Sequence, residues 1–317
     1  MKRFWFIFLG VLTLALLVGE LFCGSVSLTP AEIWQALIGR GTAQAATVVL
    51  DLRLVKALVA LLAGIALSIS GLQMQTLFRN PLAGPYVLGL SSGASLGVAL
   101  LLLAGAGSAF GIAGAAMAGA AAVMLLLILV NERVPNVMTL LILGILFSSA
   151  IGAVVQILQY LSDEQALKSY VVWTMGSLGE VTWPQLWVMA ACVIVGLLLA
   201  ILTLKPLNLI MLSDDYARSA GLNLRRARFA ILASTTLLAG SVTAFCGPIG
   251  FIGMAVPHVA RGLFRTADHR VLVPASALAG AVVLLACDLI AKRFLIPINA
   301  VTSLAGIPVV IYVVLKK

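Results

Sequence analysis

Lys205-Pro-Leu-Asn-Leu-Ile-Met-Leu-Ser-Asp-Asp-Tyr-Ala-Arg-Ser-Ala-Gly-Leu-Asn-Leu-Arg-Arg-Ala-Arg228 is a charged island between apolar runs too long for a soluble core. A second stretch follows one apolar run later: Gly247-Pro-Ile-Gly-Phe-Ile-Gly-Met-Ala-Val-Pro-His-Val-Ala-Arg261. The first reads as a handle outside a bilayer. The second reads as a membrane helix whose N-terminal end is broken. Such a break survives at membrane depth only where neighbouring helices or a cavity satisfy the freed backbone groups. Together they describe a membrane machine pushed from the cytoplasm.

Composition agrees. The chain has 317 residues, of which 62% are hydrophobic and 10% charged, against about 25% charged in a soluble domain. A membrane helix needs about 20 apolar residues. The continuous apolar runs exclude a β-barrel, whose strands alternate. The expected fold is all-α: one transmembrane domain over residues 1–317, a polytopic bundle of about ten transmembrane helices. Spans are expected near 4–23, 54–77, 87–105, 111–130, 137–160, 185–204, 229–246, 249–264, 271–291 and 299–315. The first run is too long for a secretory signal core and reads as a span.

Ten spans place both termini on one side. Six of the twenty Lys and Arg fall on the other: Arg40, Arg53, Lys56, Lys168, Lys292 and Arg293. Positive charge collects in the cytoplasm, so both termini are expected there. The net charge of +9 then serves orientation and anionic headgroups. Nothing points to nucleic acid. Two outer segments are long enough for structure. In residues 24–53, Thr29 and Pro30 form a helix-start signal. Residues 161–184 carry Trp173 and Trp183, suited to a membrane interface. Small residues at Gly93, Gly97, Gly107, Gly111 and through 111–122 predict close helix packing.

Chemistry-bearing motifs are few. The chain lacks a Walker A sequence, so it has no ATP site of that kind. Only two histidines occur, and Cys23, Cys192, Cys246 and Cys287 stand singly, as apolar packers would. No metal site or cofactor is expected. Ion-coupled carriers mark their pathway with intramembrane carboxylates. Here Glu20 and Asp288 lie near span ends with no mid-span pair, which weakens a secondary carrier acting without an ATPase. A scaffold without transport is disfavoured by the Gly/Pro-broken helices. In the charged island, Lys205-Pro206 ends a span, Ser213 or Asp214 can cap a short helix, and Gly221 can end it. A short helix fixed at both ends to spans can serve as a lever; the alternative reading is an ordinary basic cytoplasmic loop, whose charge already serves topology.

Arg53-Leu-Val-Lys-Ala-Leu-Val-Ala-Leu-Leu-Ala-Gly-Ile-Ala-Leu-Ser-Ile-Ser-Gly71, then Gln75 and Arg79-Asn-Pro-Leu-Ala-Gly-Pro-Tyr-Val-Leu-Gly-Leu-Ser-Ser-Gly-Ala94, resembles the FecCD family. These are permease subunits of type II ABC importers for iron-siderophores, haem and cobalamin. The likeness continues through Ser213–Asn223, Gly247–Gly253, Pro257-His-Val-Ala-Arg261 and Pro297–Tyr312, in the expected order.

The resemblance implies a homodimer in the inner (cytoplasmic) membrane. It implies two ATP-binding cassette subunits below, which hold ATP and Mg, and a periplasmic substrate-binding protein above. The chain itself is then no enzyme. The family's coupling segment corresponds to 208–222, with Asp214, Asp215, Ala217 and Gly221 at matching positions. Ala220 stands where members often have Leu. The cytoplasmic gate corresponds to Asn80 and Leu82 after span two, with Val137 and Met138 after span four. Binding-protein docking falls on Arg53 and Lys56, and on Lys292 or Arg293. Members often have Arg-x-Pro-Arg at the first of these sites. Val55 and Lys56 depart from it, keeping charge but losing bidentate pairing. The expected cargo is a metal chelate, ferric siderophore or haem, with cobalamin next.

Overall fold

The computed structural model describes residues 2–103, 109–131 and 137–315. Gly107 lies outside these stretches, as do Arg133, Lys316 and Lys317, three of the fourteen cations expected on the cytoplasmic side. Described residues form helices and connecting loops, with no strands among them.

In chain order the helices are α1 (Lys2–Phe22), α2 (Pro30–Leu37), α3 (Ala43–Ala46), α4 (Val55–Leu77), α5 (Leu90–Leu102), α6 (Ala109–Asn131), α7 (Val137–Leu161) and α8 (Glu164–Thr174). They continue as α9 (Trp183–Leu202), α10 (Leu204–Leu212), α11 (Asp214–Ser219), α12 (Leu224–Cys246), α13 (Ile252–Phe264), α14 (His269–Phe294) and α15 (Ile298–Leu315). A helix stands at each of the ten expected span positions. Among the described residues, eight helical runs are long and apolar enough to cross a membrane. At about 1.5 Å per residue, the 13-residue α5 and α13 are too short for a ~30 Å hydrocarbon core. Both enter through irregular backbone instead. Gly89 precedes α5 at φ 81, and Gly247 and Phe251 precede α13 at φ 73 and 66. The expected broken entry to span eight is therefore Gly247–Phe251, while Pro257 sits inside the helix. Span two is longer than expected: α3 runs through a π-helical stretch, Thr47–Leu54, into α4 without a break.

Local chemistry sets the helix ends. Thr29 forms a capping box with Glu32, and Pro30 occupies the first turn. Asp163, Asn223 and Asp268 cap α8, α12 and α14. Lys205-Pro206 does not end the sixth span: α9 stops at Leu202, and Pro206 lies in the first turn of α10, where its missing N–H costs nothing.

The core centres on α4, whose residues from Ser68 to Leu77 are buried on every face. It packs antiparallel against α14, and also against α12 and α13. Lipid supplies no hydrophobic drive between helices, so close backbone approach and interhelical hydrogen bonds hold them. A Cβ on Gly64 would run into the Gly280 carbonyl, and one on Gly71 into that of Gly253. Ser68 Oγ donates to Ser276 O at 2.8 Å. Gln73 bonds Thr203, between α9 and α10, and Ser234 and Thr235 on α12. The small residues of α5 and α6 meet as expected, Gly93 against Gly119 and Gly97 against Ala115. All four cysteines are free thiols. Cys246 and Cys287 are buried packers, but Cys23 is exposed.

Candidate functional site

Charged and polar residues gather at the two ends of the bundle. One end carries α10 and α11. Ser213 breaks the two helices apart with extended backbone, and its Oγ accepts from Tyr216 N at 2.9 Å. Gly221, at φ 80, ends α11 with Gly221 N to Arg218 O and Leu222 N to Ala217 O, both 2.9 Å. That pair of bonds needs a left-handed residue, which Gly supplies without a Cβ penalty. Of the four expected coupling residues, Asp215 and Gly221 face outward, Ala217 is fully buried, and Asp214 turns sideways. Asp214 accepts from Arg79 at 2.5 Å and from Arg228 at 2.6 Å.

Arg79 counted only as a topology charge in the sequence, yet it joins two expected sites. It takes a left-handed conformation, φ 47, directly after α4. Its Nε donates to Ile210 O of α10 at 3.0 Å while its guanidinium holds Asp214. The next residue is Asn80 of the expected gate. Asn80 Oδ1 accepts from Leu82 N at 2.9 Å, closing an Asx-type turn. Leu82 is 38% exposed at its tip. The Pro-His-x-x-Arg motif braces this loop from the other side. His258 Nε2 lies 2.7 Å from Pro81 O, and because a carbonyl only accepts, Nε2 carries the proton. Arg261 donates to Gln75 Oε1 at 2.5 Å, and Gln75 Nε2 donates to Met254 O at 2.9 Å. Val137 and Met138, the other half of the expected gate, begin α7, which packs chiefly on α5 and α6.

The opposite end is built from α1, α4, α14 and the 23–29 segment. Glu20 and Asp288 are essentially inaccessible, at 0% and 1% exposure. Lys292 pairs with Glu20 and reaches Asp288 at 3.2 Å, and Lys56 reaches Asp288 at 3.1 Å. Arg53 donates to the carbonyls of Leu21 and Val26. A cavity of about 450 Å³ opens beside Arg53, Lys56, Ser177, Asp288 and Lys292. Three of the four expected docking cations are thus turned inward, because buried carboxylates and carbonyls lie within their reach. Arg293 alone of the four is exposed without a bond to another described residue. Two carboxylates that looked isolated at separate span ends are joined through one lysine, 272 positions from Glu20. Among the described residues no cluster of three or more metal-ligating side chains forms.

Residues 12–316 match the model of the FecCD transport family. The chain belongs to this family. It is 36% identical, over 98% of its length and 95% of the relative, to the hemin transport system permease protein HmuU of Yersinia pestis. It is 38% identical, over 97% of its length and 95% of the relative, to the vitamin B12 import system permease protein BtuC of Salmonella paratyphi A. Among solved structures, an inward-facing metal-chelate type ABC transporter superposes with a TM-score of 0.88 at 30% identity, covering 98% of this chain and 99% of that one. PsaBC from Streptococcus pneumoniae shares the fold at TM-score 0.59 and 17% identity, over 80% of this chain and 88% of that one. FecCD proteins are inner-membrane permease subunits of type II ABC importers, working with ATPase and substrate-binding partners. The chain is therefore a transport subunit and not an enzyme; ATP hydrolysis belongs to a separate subunit.

Proposed function

We propose that this permease moves a metal-chelate nutrient from periplasm to cytoplasm by alternating access. Ferric siderophore or haem is the first choice of cargo and cobalamin the next. The working unit is a homodimer with two ATP-binding cassette subunits on the α10–α11 side and a periplasmic binding protein at the opposite end. Both termini are cytoplasmic. Relatives named for hemin and vitamin B12 transport support this cargo class.

The observation that carries the mechanism is Arg79. One residue bonds the coupling segment through Ile210 and Asp214, and begins the gate loop at Asn80. A push on Asp215 and Gly221 by an ATPase subunit reaches Leu82 through that side chain and a tight turn. Docking of the binding protein then uses Arg293 first, with Lys56, whose side chain is 23% exposed, at the rim. Glu20 and Asp288 are already held by ammonium groups, so an ion relay through them has no unpaired carboxylate to start from.

Uptake in proteoliposomes tests this reading. The vesicles contain this chain, its ATPase and its binding protein, and are offered labelled cobalamin, haem or a ferric siderophore, with and without internal ATP. ATP-dependent accumulation of one cargo supports the reading and names the cargo. Accumulation that follows an ion gradient and ignores ATP overturns it in favour of a secondary carrier.

A further inference from the structure

The coupling segment has a second attachment, away from the gate. Asn208 of α10 donates through Nδ2 to Asp268 Oδ1 at 2.7 Å. A carboxylate accepts only, so this bond fixes the amide's orientation and turns Oδ1 toward His269. Oδ1 there accepts from His269 N at 2.9 Å and from His269 Nδ1 at 2.7 Å. With Nδ1 as the donor, the neutral ring presents Nε2 as an acceptor, and Thr76 Oγ1 of α4 lies 2.7 Å from it. His269 is 1% exposed. One buried imidazole therefore stands in series between α10 and the ends of both α14 and α4.

What those two helices do further along gives the joint its meaning. Thr76 faces His269, Ser68 bonds Ser276, Gly64 meets Gly280, and Lys56 pairs with Asp288. Steps of eight, four and eight residues back along α4 are matched by steps of seven, four and eight forward along α14. The contacts form one antiparallel seam about 30 Å long, the thickness of a bilayer core. Helices this close, with backbone against backbone, slide past one another only by breaking the seam, so they move as one body. The seam begins at the coupling segment and ends at the Lys56–Asp288–Lys292 cluster beside the outer cavity.

We propose that Asn208, His269 and Thr76 are positioning residues for transport. They hook the coupling segment onto the α4–α14 bar, so that the state of the ATPase side is relayed to the outer mouth independently of the Arg79 gate contact. This rests on the permease reading above. The physical warrant is a rigid two-helix element contacted by both ends of the molecule.

The test uses the full complex in proteoliposomes and reads cargo accumulated per ATP hydrolysed. Asn208→Ala cuts the first arm of the joint, and Thr76→Val cuts the second while keeping the side chain's shape. Each is expected to lower cargo per ATP by about tenfold, a typical coupling between sites, while the ATPase subunits still copurify. Because the arms act in series, the double variant is expected to be no worse than the worse single variant. Independent losses would multiply. His269→Asn, which keeps a donor near the Nδ1 position, and His269→Gln, which keeps a group near Nε2, repeat the test if either first variant fails to assemble. Unchanged cargo per ATP in both arms, or lowered thermal stability with the ratio intact, overturns the joint and makes the network a static brace. Wild-type vesicles that show no ATP-driven uptake would instead overturn the permease reading, so the two failures are separable.

Discussion

The two ends of this bundle hold charge in opposite ways. At the coupling end, Arg79, Asp214 and Arg228 form a chain whose first two side chains are 43% and 27% exposed. Water competes for the Arg79–Asp214 contact, and exposed pairs of this kind contribute about 0.2–1 kcal/mol; Arg228, on the far side of Asp214, is 7% exposed. At the outer end, Glu20, Asp288 and Lys292 are 0%, 1% and 13% exposed, and the carboxylates have nowhere else to turn. Buried ion pairs are weak evidence for stability as such, but losing one partner strands a charge. The difference teaches what each end is suited to do. Contacts that cost little to break belong where a partner pushes and releases. Contacts that are costly to break belong where three helices must hold one arrangement through the cycle.

The comparison is most easily broken at Lys292. Lys292→Met strands Glu20, and unfolding stability in detergent is expected to fall by about 3–5 kcal/mol. Adding Glu20→Gln to the same chain removes the stranded charge and is expected to restore most of the loss. A Lys292→Met protein as stable as wild type would mean that the outer cluster is as loose as the inner one.

Next in size is the seam that joins the ends. Gly64→Ala places a methyl against the Gly280 carbonyl, a backbone atom that cannot swing aside. Overpacking of this kind costs about 1–3 kcal/mol. Gly114→Ala on α6, where nothing lies within 4 Å of the added carbon, is the matched control and is expected to be silent.

Asp214→Asn sharpens the comparison from the other side. It keeps the shape and removes the charge held by Arg79 and Arg228. The exposed Arg79 contact accounts for under about 1 kcal/mol of the expected stability change, and Arg228, 7% exposed and left without a carboxylate, adds to it; ATP-driven uptake is expected to drop further than that, because the gate loop loses its tie to α11. Equal losses in stability and uptake would turn the coupling end into ordinary scaffolding.

How much of this was legible depends on how far apart the partners lie in sequence. The cap at Thr29, the break at Ser213 and the turn at Gly221 are local, and each follows from residue type within four positions. So do the small-residue faces of α5 and α6 and the broken entry at Gly247. The ion cluster is different. Glu20, Lys56, Asp288 and Lys292 come from three helices, and no local rule says which lysine finds which carboxylate. Docking cations were therefore expected on the surface where three of four are turned inward. Arg79 was hidden for a similar reason: as a cation after a span it satisfied the topology rule, and nothing nearby in sequence revealed Asp214 as its partner. A positive φ at a non-glycine residue is a structural signal only.

The smallest expected effect separates exposed from buried carboxylates at the outer end itself. Glu32 lies on the same side as Glu20 but is fully exposed, and hydrogen bonds from the Thr29 N–H and hydroxyl hold its carboxyl below the usual range. A depressed folded-state pKa means that the charged form stabilises the fold above the ordinary carboxylate value, and that this contribution fades as pH falls through the lowered one. The start of α2 should therefore loosen in mild acid while the rest of the bundle stays folded. Fluorescence of Trp34, 64% exposed on α2, reads the change directly. Glu32→Gln keeps the acceptor of the capping box but cannot titrate, so its Trp34 signal is expected to stay flat over the same range. If the wild-type signal were flat as well, the capping box would not be what orders α2. Its anchorage would then lie in the buried contacts of Ile33 and Ala36 with Val49.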